Sequence, residues 1–298
     1  MELLSWHERP RLRRPALVAA FEGWNDAGNA ASGTVEYLSR QWGAKKFASF
    51  SAEELFDFTS ARPQVRLESG ITRRLEWPEV TLAHAALPDQ DRDVVLVSGP
   101  EPQLRWRSFA GEVERLVAEL HVESAVLVGA LLADVPHTRP VRVSGGASIE
   151  LASLARVEPS YYEGPTGILG VIAEVLGRAN VPTVSFWASV PHYVSQSSSP
   201  KATLALVERT VRVLGAPVDL VELQIASAAY DRQVDELVAS DEDAAAYVSR
   251  LEEQETMMPD DQPRIEEAAS DSGPKLSPAS GERLAAEVER YLREHRRD

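Results

Sequence analysis

Four short, largely apolar runs constrain the fold of this chain more strongly than any other feature. They comprise residues 16–21, 94–97, 125–128 and 183–187. An alternating pattern would indicate a strand with one face in water, whereas a continuous run suits a strand that is covered on both faces. These runs therefore predict buried strands of the kind found in parallel α/β sheets.

Segments with helical periodicity lie between the apolar runs. Apolar residues recur at steps of three and four within residues 27–41, 108–120, 167–179 and 200–214. Because strand and helix patterns alternate along the chain, the sequence predicts an α/β layered domain.

One region interrupts this alternation and predicts an antiparallel part of the sheet. Residues 64–68 and 71–76 flank Ser69-Gly70, and an apolar segment, residues 80–86, follows. Two strand-like segments around a short glycine-containing turn are typical of a hairpin or meander. The sheet is therefore expected to be mixed.

The character of the chain changes near Asp219, which predicts a boundary after a core domain of residues 1–218. Residues 219–256 carry apolar stripes typical of two amphipathic helices and form a predicted helical extension. Residues 257–280 are rich in proline, serine and acidic residues, which indicates a flexible linker. Residues 281–298 are predicted to contain a last helix.

Composition excludes several classes of function. The chain has 298 residues and no cysteine, so disulfides, thiolate catalysis and cysteine zinc sites are excluded. A formal net charge of −15 argues against nucleic acid or an anionic membrane as the partner. Residues 1–10 lack the apolar core of a signal peptide, and no run approaches the roughly 20 apolar residues that span a bilayer. We therefore expect a cytoplasmic protein.

Polar and glycine residues gather where several predicted strands end. Ligands of open α/β sheets bind at the carboxyl ends of the strands, where helix N-termini also favour anions. We therefore consider these exits a candidate binding site. Its candidate residues are Trp24, Asn25, Asp26, His137, Arg139, Glu163, Thr166 and His192.

Purely structural roles are an alternative for the same side chains. Asn25 or Asp26 could cap the helix that follows, and Thr166 is a candidate cap for the helix after Gly167. The histidines could instead act as bases beside Asp26, Glu163 or Asp134. The sequence has no nucleophile elbow, Rossmann fingerprint, P-loop or paired-histidine metal motif. No cofactor or metal is therefore expected, and catalysis is the less favoured interpretation.

Four segments, in the same order, resemble the proteasome assembly chaperone family, in the branch related to the second eukaryotic chaperone subunit. They are FEGWNDAGNAAS, GALLADVPHTRP, YYEGPTGILGVI and SFWASVPHYVSQSSSPKATLALV, and the resemblance runs from about Leu17 to Leu214. The helical tail is similar to that of actinobacterial members.

This resemblance implies a three-layer α/β/α sandwich with a mixed sheet, similar to phosphorylases and hydrolases, and a helical extension at its C-terminal end. It also implies homo-oligomers and protein partners, with proteasome α subunits as candidates. Some relatives dock through a tyrosine in the penultimate position, whereas the last tyrosine of this chain is Tyr291.

Two hypotheses about function follow. The first is a protein-interaction module that assists assembly of the core proteasome. The second is a small-molecule binding protein or a hydrolase- or phosphorylase-like enzyme, which requires the candidate residues to converge on one concave pocket.

Overall fold

The computed structural model describes residues 3–68, 72–87, 90–160 and 162–257. Its strands, numbered along the chain, are β1 (Leu4–Trp6), β2 (Ala16–Glu22), β3 (Lys45–Phe50), β4 (Gln64–Glu68), β5 (Thr72–Glu76), β6 (Thr81–Ala86), β7 (Asp93–Pro100), β8 (Ser124–Ala133), β9 (Val143–Ala147), β10 (Glu158–Pro159) and β11 (Thr183–Pro191). Its helices are α1 (Ala30–Gln41), α2 (Ala52–Leu55), α3 (Trp106–Glu119), α4 (Ala152–Ala155), α5 (Ile168–Arg178), α6 (Pro200–Leu214), α7 (Val221–Ala239) and α8 (Glu242–Met257).

Nine of the described strands form one mixed sheet in the order β1-β3-β6-β7-β2-β8-β11-β9-β10. The four central strands, β7, β2, β8 and β11, are parallel to their neighbours in this group. They are the four strands that the apolar runs predict. Antiparallel pairs flank them on both sides, with β6 against β7 and β9 against β11.

Helices cover both faces of the central sheet. Alternate residues of β2 show the division, because Val18 packs in the cluster that contains α1 and α6, whereas Leu17 packs with α3 and α5. Strands β2, β7 and β8 thus bury both faces along most of their length, which explains their continuous apolar runs, whereas β11 buries alternate residues and leaves those between them half-buried. The predicted three-layer α/β/α sandwich is confirmed.

The predicted hairpin is present, but it does not belong to the main sheet. Strands β4 and β5 pair with each other as a separate two-stranded sheet, with Val65 opposite Leu75 and Arg66 opposite Arg74. The antiparallel section on this side instead comes from β6, β3 and β1. The expectation of a mixed sheet is therefore right, and the predicted segment 80–86 forms β6, but β3 and β1 take the place that the hairpin was expected to have.

The helical extension packs on the outside of the layer that α6 forms. Helix α7 lies against α6 and buries Leu223 in the core cluster of α1 and α6. Tyr230 and Val234 of α7 form a second apolar cluster with Tyr247 and Leu251 of α8. None of the helices described here is long and apolar enough to cross a bilayer. The predicted last helix, 281–298, and the predicted linker, 257–280, lie outside the described residues, apart from Met257, where α8 ends.

Candidate functional site

The polar segments that follow the central strands lie side by side at one end of the sheet. Strands β7, β2, β8 and β11 are adjacent and parallel, so their carboxyl ends all point toward this end. The backbone of the first exit reaches the next strand directly, because the Ala130 N–H donates to the Asn25 carbonyl at 2.8 Å. Since parallel strands bring their carboxyl ends to the same end of the sheet, the segments that follow these four strands lie side by side.

Asp26 caps helix α1 from outside its first turn. Its Oδ1 accepts the N–H groups of Ala31 at 2.8 Å and Ser32 at 3.0 Å. Gly28 and Asn29 have positive φ angles of 59° and 48°. The resulting bend brings the Asp26 side chain back to Ala31, five residues later in the sequence. Burial raises the pKa of Asp26, against the lowering effect of these hydrogen bonds. The predicted capping role of Asp26 matches this geometry.

Glu101, which is absent from the candidate list, caps helix α5. Its Oε1 accepts the Ile168 N–H at 2.7 Å and the Asn25 amide at 3.4 Å. Gly167 permits this approach, because a Cβ there would lie 1.9 Å from the Asn25 amide nitrogen. The prediction that Thr166 caps this helix is wrong, since its hydroxyl contacts the Gly167 carbonyl at 3.4 Å instead. A carboxylate at a helix N-terminus also interacts favourably with the helix dipole.

The charge of Glu101 predicts a pH-dependent difference in stability. Burial raises the pKa of Glu101, against the lowering effect of the hydrogen bond from Ile168. The native state therefore binds this proton more tightly than the unfolded state does. Burial of the charged carboxylate destabilises the native state fully above the raised pKa, and this destabilisation disappears below the pKa that the group has in the unfolded chain. Glu101→Gln keeps the acceptor oxygen without the charge, so its stability relative to the original chain should be greatest at pH 8.

Thermal melting of both proteins between pH 8 and pH 4 measures this difference. The gap in Tm should shrink as the pH falls, because the original chain takes up the proton that the glutamine variant cannot. A gap that stays constant or widens toward low pH would show that burial does not govern this carboxyl group.

His137 is buried where the exit of β8 meets α7. Its Nδ1 lies 2.7 Å from the Tyr193 hydroxyl, and its Nε2 lies 2.9 Å from Oδ1 of Asp235. The same hydroxyl accepts the His137 backbone N–H at 2.7 Å. A neutral ring with its proton on Nε2 satisfies all three contacts, since the tyrosine then donates to Nδ1 and the ring donates to Asp235. His137 thus joins the core to the helical extension.

Two further side chains strengthen this junction. The Lys201 ammonium donates to the His137 carbonyl at 2.5 Å and lies 3.1 Å from Oδ1 of Asp231 on α7. Burial raises the pKa of Tyr193, and it raises the pKa of Tyr230 to about 12. Both phenols therefore remain protonated at neutral pH, and Tyr193 acts as a hydrogen-bonding group rather than as a base.

His192 makes a similar but more exposed contact with α8. Its Nδ1 lies 2.9 Å from Oδ1 of Asp134, which also accepts the Tyr247 hydroxyl at 3.1 Å. The rings of His192 and Tyr247 meet edge to face, with centroids 5.6 Å apart. Both histidines of the predicted site are therefore engaged in holding the helical extension.

Among the described residues, the other six candidates do not line the cavity that lies beside His137 and Arg139. Trp24, Glu163 and Thr166 are exposed, and the Arg139 guanidinium reaches Thr256 of α8 at 3.5 Å. The cavity beside His137 and Arg139 has a volume of about 20 Å³, which is room for roughly one water molecule. Within the described parts of the chain, no group of three His, Asp or Glu side chains is arranged to hold a metal ion.

A much larger concavity lies elsewhere, over the side of β6 and β3 that the helices leave open. We call it the groove; its volume is about 1640 Å³, and α1 and the β4–β5 hairpin form its two walls. Its floor carries the hydroxyl groups of Ser49, Thr81 and Ser98. The charged residues on its walls and rim are Glu22, Glu36, Arg40, Lys46, Arg62, Arg66, Arg74, Glu76 and Glu79. None of the eight predicted site residues lines it.

Comparison with known proteins identifies the family. The sequence profile of the PAC2 family matches residues 20–238, which is well over half of the chain. The chain belongs to the PAC2 family. The matched region extends from the end of β2 through β11 and α6 and includes nearly all of α7. A comparison with curated proteins gives no match.

Several solved structures agree in fold with this chain. A PAC2 family protein from Streptomyces avermitilis is 48% identical, with a TM-score of 0.72 over 78% of this chain and 99% of that one. A proteasome-assembly chaperone homologue from Mycobacterium tuberculosis is 45% identical, with the same TM-score and the same coverage of both chains. An archaeal proteasome activator from Pyrococcus furiosus shares the fold at 18% identity, with a TM-score of 0.63 over 78% of this chain and 97% of that one. The resemblance to assembly chaperones that the sequence indicates is confirmed.

Sequence reasoning finds the strand exits of this PAC2 family chain but misses the groove and Glu101. The groove depends on β3 and on the position of the hairpin, and β3 begins with the two exposed residues Lys45 and Lys46, so it lacks the apolar run that marks the central strands. Glu101 contacts Ile168 across 67 residues of sequence. The signal that could have found it is its place directly after the buried strand β7, level with Glu22 at the end of β2.

Proposed function

We propose that this PAC2 family chain binds proteasome subunits and assists assembly of the core proteasome. Support comes from its similarity to a proteasome-assembly chaperone homologue at 45% identity. The observation that carries the proposal is that polar side chains after the central strands make hydrogen bonds within the chain. Oδ1 of Asp26, Oε1 of Glu101 and both ring nitrogens of His137 are engaged at helix N-termini, by Tyr193 and by α7, whereas Oδ2 of Asp26 is buried without a hydrogen-bond partner.

The groove favours a polypeptide as the ligand over a small molecule. Pockets for small molecules usually have volumes of about 300–1,000 Å³ and enclose most of the ligand. The volume of the groove, about 1640 Å³, exceeds that range, and its walls stand open to solvent. A segment of another protein could lie along it and hydrogen-bond to the hydroxyl groups of the floor.

Polar walls suit a partner that is held transiently. Arg66 pairs with Glu76 at 2.5 Å and Lys46 pairs with Glu79 at 2.6 Å, so charges of both signs face the groove or its rim. Transient interfaces are more polar than permanent ones, which bury extensive apolar surface. A chaperone that must release its client needs an interface of the former kind.

Co-purification from the native host tests this proposal. The tagged chain should enrich proteasome α subunits well above an unrelated acidic protein of similar charge, as measured by quantitative mass spectrometry. Ala83→Arg places a long side chain on the groove floor and should abolish the enrichment. Ala118→Arg, on the exposed side of α3 in the opposite layer, is the matched control and should leave it intact.

The results of this experiment test two claims separately: that the chain binds α subunits, and that the groove is where they bind. Absence of α subunits from the purified material would overturn the proposed function. Equal enrichment by Ala83→Arg and the original chain would show that α subunits bind outside the groove. Circular dichroism of both variants confirms that any loss reflects the surface and not unfolding.

A further inference from the structure

The groove lies beside α1 in one of the two helical layers. Leu96 of β7 and Ala83 of β6 pack in the cluster that contains α1 and α6, and both also line the groove. A helix of four turns is about 22 Å long and 10 Å wide, which corresponds to a volume of about 1700 Å³. The groove, with a volume of about 1640 Å³, therefore has room for one short helix next to α1.

The hairpin wall of the groove offers apolar side chains that such a helix could cover. Leu75 and Trp77 line the groove and are 55% and 51% exposed. Large apolar side chains left open beside a concave surface commonly mark a binding site, and covering them is favourable. The other residues of the walls carry charges of both signs. A helix that fits the groove therefore needs an apolar side and charged residues of both signs around it.

Residues 281–298 of the same chain, which the sequence predicts to contain a helix, have this pattern. The other positions include five acidic residues and five arginines. A helix of this length gains most of its stability by packing its apolar side against another surface. Its apolar stripe, at positions i, i+4, i+7 and i+8, consists of Leu284, Val288, Tyr291 and Leu292.

The end of α8 lies within reach of the groove. Glu255, near the end of α8, and Tyr230 of α7 line the same small cavity. Glu222 lies about 12 Å from Tyr230 along the axis of α7 and pairs with Arg40 of the groove wall. Residues 258–280, the predicted linker, would span about 26 Å on average as a flexible chain. The segment that follows this linker can therefore reach the groove.

We propose that residues 281–298 form a helix that lies in the groove of the same chain. Their apolar stripe then covers Leu75 and Trp77, and a client polypeptide must displace this helix before it can bind. The displacement rests on the proposed function, because that function takes the groove as the site for the client. The contact itself does not depend on it.

Thiol labelling of the full-length chain tests the contact. The protein has no cysteine, so Gln64→Cys introduces a single thiol at an exposed position of β4 that lines the groove. Its reaction with a maleimide should become about tenfold faster when Leu284→Ser, Val288→Ser and Leu292→Ser are added, because the rate follows the fraction of molecules with an open groove. Ala118→Cys, on the exposed side of α3, is the matched control and should react equally fast with and without these serines.

Dilution distinguishes the chain's own segment from that of a second copy. The reaction rate of Gln64→Cys should stay constant on dilution, since a contact within one chain does not depend on concentration. A rate that rises on dilution, or one that the three serines leave unchanged, overturns the proposal. These measurements contain no α subunit, so their result is separate from the test of the proposed function.

Competition with the client is measured by co-purification from the native host. The chain with the three serines should enrich more α subunits than the original chain, because its groove is open. Equal or lower enrichment would overturn the regulatory role of residues 281–298. Failure of both chains to enrich α subunits would instead overturn the proposed function, and with it the competition.

Discussion

Replacing His137 with alanine is expected to lower the free energy of unfolding by about 3 kcal/mol. The substitution removes a buried ring that contacts Tyr193 and Asp235. It leaves a cavity and takes away the acceptor of a buried phenol, while Asp235 can regain water because its side chain is partly exposed. Chemical denaturation measures the loss. Hydrogen exchange should rise most in α7 and α8, because His137 joins them to the core.

His192→Ala is the matched control for this prediction. His192 belongs to the same junction and also pairs with an aspartate, but its side chain is far more exposed than that of His137. An exposed pair contributes roughly 0–1 kcal/mol, so this variant should lose much less stability. Equal losses in the two variants, or unchanged exchange in α7 and α8, would contradict the assigned role of His137.

Replacing Asp26 with alanine is expected to lower the free energy of unfolding by about 2 kcal/mol. The carboxylate accepts two N–H groups at the start of α1, and alanine would leave both without that acceptor. Ala31 is itself buried, so water cannot readily replace the lost hydrogen bonds. Urea unfolding curves of the variant and the original chain give the difference.

Asp26→Asn distinguishes the cap from the charge. The asparagine keeps one side-chain oxygen for the same N–H groups and removes a carboxylate whose pKa burial raises. Its stability should therefore stay within about 1 kcal/mol of the original chain. If asparagine destabilised the protein as much as alanine, the negative charge and not the acceptor would be the important property.

Most of the central sheet could be predicted from sequence because β2, β7 and β8 are covered on both faces. Val94–Val97 and Ala125–Val128 are continuous apolar runs for this physical reason, and their parallel order places the polar exits at one edge. Strand β3 was not predicted, because it begins with two exposed lysines and only its later residues are buried. Local pattern therefore identifies the centre of the sheet better than its margin.

The roles of the residues after the central strands could be predicted only where their hydrogen-bond partners are close in sequence. Asp26 caps a helix five residues away, and a candidate cap is recognisable from residue type. His137 meets Asp235 across 98 residues and Glu101 meets Ile168 across 67. Such contacts arise from the packing of whole elements, which sequence periodicity does not specify.

Assembly of the core proteasome from purified α and β subunits tests the central claim most directly. With this chain added in stoichiometric amount, we expect the core particle to form faster and in higher yield, as followed by native gel and peptidase activity. Ala83→Arg, which obstructs the groove floor, should lose this effect, and Ala118→Arg should keep it. An assembly rate that the original chain leaves unchanged, in subunits that assemble competently on their own, would contradict the account.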